Sequence, residues 1–185
     1  MKHKIIISLV VLLWSVCSEA QKMSVSTNML DYVALGTMNA DMSYAFSRHW
    51  SLVAGVRYNP FTFNEGEPRK QFQCRQQSYS VGVRMWPWHI WSGWWFASKL
   101  RYQEYNVGGI MDQETQEGDR LGLGLYSGYT HMVSRHFNVE FGFGLWGGWD
   151  KYIRYSCPMC GHRIDGGNKA FLLPDDAMIS LVYVF

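Results

Sequence analysis

Phe137-Asn138-Val139-Glu140-Phe141-Gly142-Phe143-Gly144-Leu145-Trp146 reads as a β-strand with two unlike faces. Phe137, Val139, Phe141, Phe143 and Leu145 alternate there with Asn138, Glu140, Gly142, Gly144 and Trp146. A period of two belongs to a strand, and an oily face opposite a mixed one means that the two meet different surroundings. The same split sets Leu121, Leu123 and Leu125 against Gly122, Gly124 and Tyr126, and Tyr79, Val81, Val83 and Met85 against Ser80, Gly82, Arg84 and Trp86. At the C-terminus Ile179, Leu181, Tyr183 and Phe185 alternate with Met178, Ser180, Val182 and Val184.

Working outward, the alternation predicts strands over residues 22–30, 39–46, 50–58, 77–86, 94–104, 120–131, 137–149 and 176–185. The connections 47–49, 87–93 and 132–136 are short, whereas 59–76, 105–119 and 150–175 are long. The first connection, about 31–38, is the shortest of the long set, and Asp31 breaks the alternation so that the first strand ends near Leu30. Short and long connections in turn suit an up-and-down barrel, whose even strand count returns both termini to one end. The expected fold is all-β: an eight-stranded antiparallel up-and-down transmembrane β-barrel with a filled lumen.

A soluble sandwich or lipocalin-like barrel also divides its strands into apolar and polar faces. Three details favour the membrane reading. Glycines crowd the mixed face at Gly55, Gly82, Gly122, Gly124, Gly142 and Gly144, where a narrow lumen needs room for larger neighbours and a curved wall. Aromatic residues gather at strand ends as two interfacial girdles. Phe46, Trp50, Trp86, Trp88, Trp91, Trp94, Trp95, Phe137 and Phe185 form one; Tyr58, Phe61, Tyr102, Tyr105, Trp149 and Tyr152 form the other. Finally, Phe185 on an alternating apolar strand reads as an outer-membrane insertion signal.

Lys2 and Lys4, the apolar run from Ile5 to Val16, and Ser18-Glu19-Ala20 stand in the order of a secretory signal peptide cleaved after Ala20. The run is too short for a transmembrane helix, which takes about 20 apolar residues, and Trp14-Ser15-Val16 is a poor approach to a lipidated Cys17. The expected organisation is a signal peptide over 1–20 and a single barrel domain over 21–185, in the outer membrane of a Gram-negative bacterium with both termini in the periplasm. Without Lys2, Lys4 and Glu19, the 17 basic and 15 acidic side chains fall to 15 and 14. So small a net charge argues against a nucleic-acid partner.

Thr27-Asn28-Met29-Leu30, Asn39 ahead of Tyr44, and Arg48-His49-Trp50-Ser51-Leu52 follow in an order that resembles the domain of unknown function 3575. The similarity runs on to Val182-Tyr183-Val184-Phe185. That resemblance implies an outer-membrane β-barrel of the Bacteroides group and no reaction. In that family an acidic residue often follows the Asn by four positions; here Ser43 stands there.

Asp41, Arg57, Arg84, Lys99, Arg101 and Glu140 fall on the mixed face. Charges in a narrow interior must pair or be hydrated, so these six are expected to form a lumen network that fixes register; the rival use is a selective or proton-conducting constriction. In the last long connection Cys157-Pro158-Met159-Cys160-Gly161-His162 has the form of half a zinc site, to which Cys74 could add a third thiolate and His162 a nitrogen. An exported chain meets oxidants, so a disulfide between Cys157 and Cys160, or from either to Cys74, is an equally ready outcome, with redox catalysis the third. No cofactor is expected, zinc in that loop being the alternative.

The chain carries no Gly-x-Ser-x-Gly, no His-Glu-x-x-His and no dinucleotide fingerprint. It therefore reads as non-enzymatic, with a structural or binding role through long extracellular loops. The expected partners are outer-membrane lipid, the barrel-insertion machinery and an extracellular or envelope protein. The alternatives are a lipid-modifying enzyme and a narrow transporter.

Overall fold

A computed structural model describes residues 21–33, 35–64, 71–109, 114–157 and 161–185; the expected signal peptide lies outside them. The elements are β1 (Met23–Asn28), α1 (Met29–Val33), β2 (Met38–Ala45), β3 (Trp50–Asn59), β4 (Thr62–Phe63), β5 (Phe72–Met85), β6 (Gly93–Gly108), β7 (Thr115–Met132), β8 (Phe137–Tyr155) and β9 (Arg163–Val184). Eight strands pair antiparallel in the order β1, β2, β3, β5, β6, β7, β8, β9, and β9 pairs back onto β1, so the sheet closes. The two-residue β4 lies against β5 outside that cycle. The all-β, eight-stranded antiparallel barrel is as the alternation predicts.

The strands are longer than expected. Segments 105–119 and 150–175, read above as loops, are mostly paired: β6 and β7 stay in register out to Gly108 and Thr115, β8 and β9 out to Tyr155 and Arg163. Apolar residues do not alternate regularly there, Phe171-Leu172-Leu173 being consecutive, so no oily stripe marks the strands. Cross-strand pairs hold them instead, with Tyr155 donating to Glu117 at 2.7 Å and Tyr152 to Asp165 at 3.1 Å. Asp31 ends the first strand as expected, but inside a short helix the alternation did not show. The chain leaves that helix through Gly36, whose φ of +72° suits a residue without a Cβ.

β9 also starts well before residue 176, at Arg163, and it contains a bulge. Phe143 faces Ala177 and Leu145 faces Pro174, which leaves Asp175 and Asp176 opposite Gly144 alone. Pro174 cannot donate to the ladder, and the extra residue switches which positions point inward. Phe171 and Asp175 face in before the bulge, whereas Met178, Ser180 and Val182 face in after it.

Burial along the barrel is inside-out. Leu52, Val56, Val81, Leu100, Leu123, Phe141, Phe143 and Leu181 are exposed on the outer wall, and Leu125 reaches 63%. Ser24, Ser43, Ser51, Arg84, Lys99, Arg101 and Glu140 are buried on the inner one. At the end where Met23 meets Phe185, Trp86, Trp91 and Trp95 pack with Met178, Val182 and Val184. This corrects the girdle reading for Trp86, Trp91, Trp95 and Tyr105, which are buried inside. Parity decides the matter, since Trp95 shares its face with Lys99 and Arg101. Trp50, Trp88, Trp94, Phe137, Tyr58 and Trp149 are exposed at the strand ends. The glycines make room as expected: a Cβ at Gly124 or Gly144 would run into the ring of Tyr126, and one at Gly128 into Trp95.

Candidate functional site in the barrel interior

The inner face stacks charged side chains in layers above the tryptophans. In the first, Nη1 of Arg84 donates to both carboxylate oxygens of Glu140, at 2.9 and 3.0 Å, and Thr130 donates to Glu140 at 3.0 Å. The guanidinium lies over Trp95, 4.2 Å from the ring centre, so its plane is covered by a π-face. Next, Lys99 reaches Asp41 at 3.4 Å and lies over Tyr126 at 5.1 Å. Above that, Asp175 takes Arg101 and the hydroxyl of Tyr126, with Arg57 at 3.8 Å. Arg57 also meets Asp31 of α1 at 3.2 Å, and Arg101 lies over Trp146 at 4.7 Å. The six residues singled out in the sequence thus come together as Arg84 with Glu140, Lys99 with Asp41, and Arg57 with Arg101 through Asp175. One pocket between the last two layers, bordered by Asp41, Arg57, Lys99, Arg101, Tyr126 and Asp175, has a volume of about 10 Å³, enough for about one water.

Beyond these lies a layer that the sequence reading missed. Asp150, fully buried, accepts from Tyr105 at 2.8 and 3.0 Å and from Arg120 at 3.2 Å, with Lys169 at 3.7 Å. Arg120 covers the Tyr105 ring at 3.8 Å. Burial and then donation to Asp150 push the Tyr105 hydroxyl up to about 12. The folded chain therefore holds this proton more tightly than the unfolded one, and the corresponding stability, complete below the unfolded value near 10, is lost as pH rises toward 12. Denaturant midpoints measured across that window should fall for the native chain and fall less steeply for Tyr105→Phe; parallel curves would show that Tyr105 does not couple.

Over residues 5–185 the chain matches the family model described as "Protein of unknown function (DUF3575)". The chain belongs to the DUF3575 family. Neither the curated proteins nor the solved structures yield a match.

In this DUF3575 member two residues of the sequence resemblance have a visible task. The carboxamide of Asn39 accepts from the backbone N–H of Asn28 at 2.6 Å and donates to its carbonyl at 2.9 Å, standing in for a strand neighbour where β1 ends. The carboxamide of Asn28 in turn accepts from the N–H of Ile179 at 3.1 Å and donates to Asp31 at 3.0 Å. It thus joins the end of β1, the edge of β9 and α1.

Phe185 is tied to the same seam, exchanging backbone hydrogen bonds with Met23 at 3.0 and 3.2 Å. Cys157 is disulfide-bonded. Cys160 lies outside the described residues. Cys74, half-buried on β5, is a free thiol pushed up by burial, and His162 is exposed.

Proposed function

We propose that this chain is a non-enzymatic barrel of a bacterial outer membrane, plugged by its own side chains, that serves as a structural or binding element through the strands rising beyond the bilayer. The observation that carries this reading is the inside-out wall, with Leu, Val and Phe exposed around the outside while Arg84, Lys99, Arg101 and Glu140 are buried within. Water would oppose so continuous an apolar surface, whereas lipid accepts it. The paired interior charges and the tryptophan layer favour a plug over a narrow transporter.

On this reading both termini are periplasmic, lipid and the insertion machinery that reads Phe185 are the first partners, and an envelope or extracellular protein meets the projecting hairpins. The test is fractionation of native cells with heat-modifiable gel migration, followed by planar-bilayer recording. Recovery in the outer-membrane fraction, faster migration before boiling and no steady conductance are expected. Release from the periplasm without detergent would overturn the membrane reading, and stepwise ion currents would overturn the plug.

A further inference from the structure

Tyr58, Gln77, Glu104, Asp119 and Lys151 form one continuous cross-strand row over β3, β5, β6, β7 and β8. Directly below it, two residues along each strand, runs the row Val56, Tyr79, Tyr102, Leu121 and Trp149. The lower row ends the apolar outer wall, with Trp149 73% exposed. Both rows share the outward parity, since the Tyr102 hydroxyl reaches Glu104 at 2.9 Å and Asp119 at 3.2 Å. The outer surface therefore turns from apolar to polar within a single row, and at that boundary the upper row lines a cavity of about 600 Å³.

The chemistry of that cavity is ordered from side to side. Arg75, one row farther out on β5, stands toward one end and Lys151 on β8 at the other; neither has an ion-pair partner among the described residues. Glu104 and Asp119 lie between them, as does Glu117 one row farther out, which already accepts from Tyr155 at 2.7 Å. The single Tyr102 proton serves one carboxylate at a time, so acceptor capacity remains for further donors. Gln77 adds a carboxamide and Tyr58 an exposed ring face. Three strand spacings separate the Arg75 and Lys151 strands, roughly 14 Å. Hydroxyl donors suit the middle of such a groove and anionic groups suit its ends.

We propose that this groove binds a saccharide carrying an anionic group at each end, supplied as the headgroup of an outer-leaflet lipid. The assignment of the lipid source rests on the membrane reading above; the saccharide chemistry does not. In the test, the full barrel is reconstituted in phosphatidylcholine nanodiscs with and without lipid A, and retained lipid A is read by native mass spectrometry. In parallel, detergent-solubilised barrel is titrated calorimetrically with fructose 1,6-bisphosphate, sucrose and inorganic phosphate.

Saturable retention of lipid A, binding of the bisphosphate in preference to sucrose and phosphate, and a loss of at least tenfold in both arms for the Arg75→Ala/Lys151→Ala pair are expected. Arg48→Ala, a cation in a turn at the opposite end, should leave both unchanged. Equal loss with Arg48→Ala, or phosphate binding as well as the bisphosphate, would overturn the saccharide site. Bisphosphate binding without lipid A retention would overturn the lipid source. A barrel that fails to enter nanodiscs at all would sink the membrane reading while the soluble titration still judges the groove.

Discussion

Glu140→Ala should unfold far more easily than the native barrel, at a cost of about 3–5 kcal/mol, because it leaves a buried guanidinium without its carboxylate. Arg84 and Glu140 side chains are each 3% exposed. No second carboxylate reaches Arg84 among the described residues, and its Nε already lacks a partner. Water cannot repair the loss where Trp86 and Trp95 flank the group. The measurement is a urea titration of the folded barrel, read by tryptophan fluorescence, or its thermal unfolding midpoint. Replacing both partners, as Arg84→Met with Glu140→Leu, should recover most of the loss, since apolar residues of similar volume remove the desolvation problem with the charges. An unchanged midpoint for the single variant would mean that the pair does not bear on stability.

Asp175→Ala should be as damaging, again about 3–5 kcal/mol, and more so than Arg57→Ala. Asp175 gathers Arg101, Arg57 and the Tyr126 hydroxyl, so its loss strips the only close carboxylate from Arg101 among the described residues. Arg57 keeps Asp31 in that variant. The reverse substitution is milder because, without Arg57, Asp175 still holds Arg101 and Tyr126, and Asp31 still accepts from Asn28. Midpoints in the opposite order would refute the layered scheme.

Alternation alone exposes Arg84, Glu140, Lys99 and Asp41, because each sits in a strand whose opposite face is oily along its length. It hides Asp175 because Pro174 and the bulge reverse the inward positions just there, so a reader of periodicity starts the strand at 176 although it begins at Arg163. Asp31 is hidden for a different reason: a residue that breaks a strand looks like loop, and nothing local shows that its carboxylate reaches Arg57. Arg120 opens its expected strand and Asp150 falls one residue past the expected end of the next, so alternation does not show that the ladder continues and brings the two together. The tryptophans teach the converse lesson. Gathering at strand ends suggests a girdle, yet Trp86 and Trp95 fall on the same parity as Arg84 and Lys99, and parity is the stronger constraint because it follows from the pleat itself.

β1 offers six residues to a neighbour of twenty-two, and the first and last strands of the barrel meet at that join. A barrel held by these two strands is therefore loaded at a join of only five residue pairs, where ladder bonds are strained one after another rather than all together. This is the clasp of the cylinder. It is the place to look for the last event of assembly and the first of mechanical opening, with Asn28 and Asn39 marking where an unzipping front passes from backbone rungs to side-chain ones.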